Sequence, residues 1–250
     1  MAIVLGGLDS TGKTYQAELW ATAGLDDRKS IILDLEYPRA KKTHSAFFHD
    51  KQLDILNCKV LHQKSNKSLD IRRGERDPIK SFELFEHNLE TVLDNVELYG
   101  CIIIDGISDV RSDYSKVWLK DYNKRKNETR QSIGKDPGAW SDINERIIEM
   151  TISPLQELGS EFDTTVIFTS KMADDYKLVK METGKQDTVK TGTKHIDVHQ
   201  DIRHIVDTIC LLEVDNSGSY YVSIQKSIKG STGTKPLTKP LYEVLLEAGI

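Results

Sequence analysis

The chain has 250 residues, enough for one α/β domain with a full hydrophobic core, and no run in it approaches the roughly 20 apolar residues of a membrane span. Its formal net charge of −5 argues against an overall electrostatic pull towards nucleic acid, while leaving room for local basic segments. Cys58, Cys101 and Cys210 lie far apart, two of them inside apolar runs, and residues 1–4 have no signal-peptide character; this is the usage expected of a cytoplasmic protein with reduced core cysteines, not of a disulfide or metal framework.

Ile3, Val4 and Leu5 predict a short strand, and the next stretch reads Gly7-Leu8-Asp9-Ser10-Thr11-Gly12-Lys13-Thr14. This is the full phosphate-loop pattern G-x-x-x-x-G-K-[ST], and each part has a task. Gly7 and Gly12 free the backbone to wrap a polyphosphate with its N–H groups turned inward. Lys13 brings a point charge to the β- and γ-phosphates. Thr14 offers a hydroxyl to Mg²⁺ and opens a helix whose N-terminal dipole favours an anion. That helix is expected over residues 14–23, with Tyr15 directly behind the loop and Gly24 as its stop. Residues 7–15 are the candidate nucleotide contacts, with ATP and Mg²⁺ as the expected ligands. Because the first strand starts at residue 2, no N-terminal domain is expected.

Residues 30–36 predict a buried strand that ends in Asp34 and Glu36. Strand residues two apart share a face, so both carboxylates are expected to point the same way at the carboxyl end, where open α/β sheets carry their sites. Residues 38–76 are weakly patterned, with 53–56 and 59–61 as candidate short strands. Asp77 and Pro78 then open a helix with Ile79, Phe82, Phe85, Leu89, Val92 and Val96 at three- and four-residue steps, and Gly100 is expected to end it. Residues 101–105 are four apolar residues and a carboxylate, Asp105. Behind a phosphate loop and a βα unit, this is the pattern of a Walker B strand, whose aspartate orients Mg²⁺.

Residues 109–141 form a long polar segment in which Lys124, Arg125, Lys126 and Arg130 follow Tyr114, Trp118 and Tyr122. Basic residues interleaved with aromatics can contact phosphates and stack the bases of a single strand; a solvated helix face with anchoring aromatics has the same composition. Trp140, Ile143, Ile147 and Met150 predict a further helix. Residues 164–169 predict the fourth core strand, which delivers Ser170 and Lys171 to the same sheet edge as Asp105. Residues 172–204 read as a long connection carrying Lys177, Lys180, Lys185, Lys190 and Lys194, and connections of this length are usually functional or mobile. His195, His199 and His204 lack the Cys or Glu partners of a zinc pattern, so no dedicated metal site is expected there. Residues 206–214 and 220–225 flank Asp215, Asn216, Ser217 and Gly218, a hairpin signal, with Lys226 and Lys229 just beyond. Residues 231–240 look like a linker, closed by a short helix over 242–246.

Residues 7–14, Asp34-Leu35-Glu36, Ile102-Ile103-Ile104-Asp105-Gly106 and Val166-Ile167-Phe168-Thr169-Ser170-Lys171 occur in the order and spacing of the RecA-type ATPase core. More closely, the chain resembles the minimal RecA-like P-loop ATPases of phages and archaeal viruses over about residues 1–230, with 231–250 as a C-terminal tail. The resemblance implies an α/β fold: a mainly parallel twisted sheet flanked by helices, with a C-terminal β-hairpin. In it the 164–169 strand lies between the phosphate-loop and Asp105 strands. It implies that Glu36 polarises the attacking water, that Asp105 orients Mg²⁺, and that Lys171 falls near the sensor position. Lys226 and Lys229 match basic residues that reach a neighbouring subunit's γ-phosphate, so a homo-oligomeric ring or filament is implied. The segments 109–141 and 172–204 match DNA-facing loops, with single-stranded DNA as the implied partner and no membrane. The expected function is a DNA-dependent ATPase acting in recombination or single-strand annealing. A small-molecule kinase and a nucleotide-gated accessory protein, such as a helicase loader or packaging factor, are the alternatives.

Overall fold

The computed structural model describes residues 1–48, 51–61, 75–134, 136–180 and 186–250, with the side chains of 176–188 outside the description. From the amino end the chain runs β1 (Ala2–Gly7), α1 (Lys13–Ala21), β2 (Lys29–Asp34), α2 (Arg39–Phe47), β3 (Asp54–Asn57), α3 (Pro78–Leu93), β4 (Tyr99–Asp105) and α4 (Ile107–Lys126). It continues through α5 (Pro137–Ile147), α6 (Ser153–Glu161), β5 (Thr165–Ser170), β6 (Met172–Lys180) and β7 (Gln186–Ile196). Last come α7 (Gln200–Ile205), β8 (Thr208–Val214), β9 (Tyr220–Ser227), β10 (Gly233–Pro236) and α8 (Leu241–Glu247).

The centre is an eight-stranded sheet in the order β10-β9-β8-β1-β5-β4-β2-β3. The six strands from β8 to β3 are parallel to their neighbours, whereas β9 and β10 pair antiparallel at one side. The fold is therefore α/β, a mostly parallel sheet flanked by helices, with β5 between β1 and β4 as expected and β8–β9 as the expected hairpin.

Alternate residues of the parallel strands feed two opposite layers. Val4, Leu33, Ile102, Ile104 and Phe168 pack with Phe82, Phe85 and Leu89 of α3. Ile3, Leu5, Ile32, Ile103 and Ile167 pack with Ala17 and Trp20 of α1 and with Val244 and Leu245 of α8. Burying each such side chain contributes about 1.5–3 kcal/mol. With both faces covered, strands read as unbroken apolar runs instead of alternations.

Several elements differ from expectation for local reasons. α1 ends at Ala21 with Thr22 as its cap, and Gly24, at φ +71°, lies in the turn beyond. β2 stops at Asp34, so Glu36 lies past the strand and the shared-face argument does not apply to it. α3 starts as expected, with Asp77 accepting from the Lys80 N–H at 3.2 Å, but it ends at Leu93, and Gly100 lies inside β4. Residues 53–56 largely form β3, whereas 59–61 form no strand; Leu61 makes an isolated bridge to Arg76.

The segment 109–141 is mostly helix, not loop. Tyr114, Trp118 and Tyr122 follow one another at helical four-residue steps on α4, and Trp118 packs with Leu119, Ile133 and Ile143. Lys124, Arg125 and Lys126 stay exposed on its last turn, where cations suit the helix dipole. The 172–204 connection is an antiparallel ribbon, β6 on β7 from Met172↔Ile196 to Lys180↔Gln186, followed by α7. Lys190 and Lys194 on it are exposed, and Lys185 lies outside the described residues. The 231–240 linker reading is also corrected: β10 pairs with β9 from Gly233↔Ile224 to Pro236↔Tyr221. A proline is tolerated there because β10 is an edge strand. Among the described residues no helix is long and apolar enough to cross a membrane.

Candidate functional site

The parallel registers bring four strand ends to one sheet edge. Gly6 lies opposite Ser170, Thr169 opposite Asp105, and Asp105 opposite Asp34. The loop from Gly7 to Lys13 closes over that edge. Gly12 caps α1 at φ +83°, a left-handed conformation that favours glycine. A Cβ on Gly7 would come 2.4 Å from Thr11 Oγ1 and 2.9 Å from the Leu212 carbonyl, so only glycine fits this close approach. α1 has no side-chain cap and no acid in its first turn, which leaves its leading N–H groups without helical partners.

Lys13 turns back into the loop and donates to the Gly7 and Leu8 carbonyls, at 2.9 Å each. Burial is the main cause holding its ammonium pKa below the ordinary value. Leu8, Asp9 and Ser10 form the exposed tip, with Ser10 at φ +65°. A cavity of about 140 Å³ lies over Gly12, Lys13, Thr14 and Tyr15, with Arg39 and Thr43 of α2 on its far wall.

Beside the loop stands Asp105, 2% exposed at the tip of β4. Thr14 Oγ1 lies 3.1 Å from each of its carboxylate oxygens, and Thr169 Oγ1 donates to it at 2.6 Å. Burial pushes the Asp105 carboxyl pKa up, against these hydrogen bonds. Glu36 occupies the outer side, held by Arg39 and by Lys171 Nζ at 3.1 Å. Burial alone would raise its pKa, but the Lys171 and Arg39 charges outweigh it and hold the carboxyl below its ordinary value. Lys171 is itself anchored 2.9 Å from both Asp109 oxygens. Asp34 is different: it is fully buried, accepts from the Ala40 N–H at 3.1 Å, and is pushed up to about 7 by burial and then by Asp105.

Lys13, Thr14, Asp105, Glu36 and Lys171 thus share one edge. Lys226 and Lys229 lie at the other. Lys226 Nζ donates to the Arg203, His204 and Val206 carbonyls at 2.8, 3.0 and 2.5 Å, closing the end of α7. Lys229 lines a concavity of about 300 Å³ with Met1, Asp163 and Asp207, at the amino ends of the strands. His195 pairs with Asp175 at 2.5 Å and His199 with Asp201 at 3.1 Å.

Four site residues escape sequence reading. Arg39 and Asp109 hold Glu36 and Lys171, yet each sits in a segment without pattern. Thr169 lies inside an apolar strand. Glu18 is fully buried one turn beyond Thr14, and its four-residue step from Thr14 is the signal that could have placed it on the same face. The Thr14 hydroxyl and Asp105 carboxylate are hard oxygen donors of the kind that suit Mg²⁺, which takes few protein ligands and fills its octahedron with phosphate and water. Among the described residues no three or more His, Cys, Asp or Glu side chains form a metal-holding group of their own. No protein-family model and no curated protein matches this chain in sequence.

Proposed function

We propose that this chain is a RecA-like P-loop ATPase that hydrolyses ATP in a DNA-dependent manner, as a ring or filament of identical subunits. The observation that carries the reading is the Thr14 hydroxyl lying 3.1 Å from both oxygens of the buried Asp105, beside a glycine-capped loop that encloses Lys13. A core aspartate and a helix-opening threonine meeting in this way make a cation site against an anion site. In this reading Lys13 exchanges its two carbonyl partners for phosphate oxygens, and the leading N–H groups of α1 receive the anion. Thr14 and Asp105 hold Mg²⁺, which when bound neutralises charge on the β- and γ-phosphates. Glu36, kept ionised by Arg39 and Lys171, accepts a hydrogen bond from the attacking water and orients it. The exposed lysines of the β6–β7 ribbon, which leaves the sheet directly after Lys171, support a nucleic-acid partner through phosphate contacts.

The test is ATP binding and phosphate release by the wild type and by Lys13→Ala, with and without single-stranded DNA. Stimulation of the wild type by DNA and loss of both binding and turnover in the variant are expected. Near-normal hydrolysis by Lys13→Ala would overturn the loop reading. Phosphate transfer to a small acceptor would point to a kinase, and binding without turnover to a nucleotide-gated accessory protein.

A further inference from the structure

Two cations face one another across the cavity over the loop, Lys13 on its floor and Arg39 on the wall that α2 makes. After burial, the Arg39 charge is the second force pushing the Lys13 ammonium pKa down, so the two lie within electrostatic reach. Like charges opposed in this way repel unless an anion lies between them. Arg39 is held to that wall from both ends of α2. The buried Asp34 carboxylate accepts from the Ala40 N–H at 3.1 Å and fixes the first turn. Phe47 at the far end meets Tyr15 behind the loop edge-on, with ring centroids 5.2 Å apart. Helix stability does not account for an arginine here. It opens α2, where the dipole disfavours a cation, and no acid shares its first turn. Its ion pair with Glu36, three residues back and with the arginine side chain 37% exposed, is of a kind that adds little stability.

Resting on the nucleotide reading, we propose that Arg39 is a catalytic residue of its own subunit's site, whose guanidinium grips the terminal phosphate from the side opposite Lys13. A guanidinium presents a planar fork of donors that matches two phosphate oxygens at once. Arg39 already holds Glu36, the carboxylate assigned to the attacking water, so the phosphate within its reach is the one that water attacks. Arrival of that phosphate draws the guanidinium off Glu36. Glu36 keeps its second cation, because Lys171 stands 3.1 Å from it and is anchored by Asp109 at 2.9 Å. The carboxylate thus stays ionised and gains a free lone pair for the water at the moment a terminal phosphate is bound. ADP, which lacks that phosphate, leaves the Arg39–Glu36 pair closed. One residue in this way offsets charge on the terminal phosphate and ties the freeing of Glu36 to its presence.

The experiment is calorimetric binding, with Mg²⁺, of ADP and of a non-hydrolysable ATP analogue to the full chain and to Arg39→Ala, with single-turnover phosphate release from ATP beside it. The variant should bind ADP as the wild type does, which also shows that the substitution leaves the fold intact. Its affinity for the ATP analogue should fall about tenfold or more, the loss expected for hydrogen bonds between charged groups. Phosphate release should fall by about 10³–10⁵-fold, the range for an arginine on a transferring phosphoryl group. Mixing Arg39→Ala with Lys13→Ala should restore nothing, because each subunit then carries a defect in its own site. Unchanged affinity for the ATP analogue in Arg39→Ala would mean that the arginine only holds Glu36, and would overturn the proposal. Recovery of turnover in the mixture would overturn the placement within one subunit. Failure of the wild type to bind either nucleotide would instead overturn the nucleotide reading, and this role with it.

Discussion

Replacing Glu18 by Gln tests the buried charge behind the candidate site. Glu18 has no exposed surface, and among the described residues neither of its carboxylate oxygens has a hydrogen-bond partner. Among the described residues, His44 Nδ1 is the basic atom within ion-pair reach, 3.8 Å away, and that nitrogen too is buried without a hydrogen-bond partner. Burial, then the Asp105 and Asp34 carboxylates, push Glu18 from an ordinary 4.5 up to about 8. Between those two values the native state keeps a proton that the unfolded chain has released. Stability therefore falls as pH rises through that window and levels off above it. Each tenfold in proton concentration is worth about 1.4 kcal/mol, so the whole loss is on the order of 3–5 kcal/mol. Glu18→Gln keeps the shape and removes the titration. Denaturant unfolding of the nucleotide-free chain, at steps from pH 5 to pH 8, should show nearly equal stability at pH 5. The variant's advantage should then grow to a few kcal/mol at pH 8. Asp34, pushed up to about 7, titrates in the same window, so the difference between the two proteins reads Glu18 together with its coupling to Asp34. A difference that stays flat with pH, or a variant less stable at pH 8, would refute the reasoning.

Glu36→Gln should bind ATP about normally yet lose about 10²–10⁴-fold in hydrolysis, while Asp34→Asn, buried away from water, should stay active; single-turnover assays showing the reverse would mean that the wrong carboxylate was assigned. Lys229→Ala should be inactive alone but regain partial turnover when mixed with Lys13→Ala, because a mixed assembly contains interfaces where both residues are intact; full activity of Lys229→Ala at a concentration where the wild type is oligomeric excludes the trans role. Lys226→Ala removes charge-assisted bonds to three carbonyls, each typically worth ~1.5–3 kcal/mol, and should show as a lowered denaturation midpoint; an unchanged midpoint would mean those contacts carry no stability.

The parallel half of the sheet is legible in the sequence because burial on both faces leaves unbroken apolar runs, Ala2–Leu5, Ile31–Leu33, Cys101–Ile104 and Val166–Phe168, in β1, β2, β4 and β5. The polar elements are harder to read. β6, β7 and β10 lie outside the sheet's buried core and carry lysine, threonine and aspartate, so their strand character comes from backbone pairing and not from an apolar pattern. α4 is polar enough to resemble a loop, and only the four-residue aromatic stripe marks it. Gly100 misleads for a different reason: glycine marks close packing as well as helix ends, and the turn that stops α3 is made by Asp94 and Asn95. In the site, Lys13, Thr14 and Asp105 are legible because their spacing is a local motif. Arg39 and Asp109 are not, because each acts on a partner that only the fold brings near.

The two ends of the sheet bear on how such a chain would assemble. Glu36, Lys171 and the loop occupy the carboxyl edge, whereas Lys229 lies at the amino edge, separated by a six-residue strand, or roughly 20 Å. A lysine side chain spans far less than that, so within one subunit Lys229 has no route to a phosphate on the loop. If it serves the chemistry, the amino edge of one subunit must lie against the carboxyl edge of the next. Such a contact joins unlike surfaces, so it cannot close as a two-fold dimer; it closes as a ring or continues as a filament. Of the two lysines, Lys226 is already held by three carbonyls of its own chain, whereas Lys229 opens onto a concavity at that edge. The geometry therefore separates two residues that the sequence presents as a pair: Lys226 closes α7, and Lys229 is the one left open for the proposed trans role.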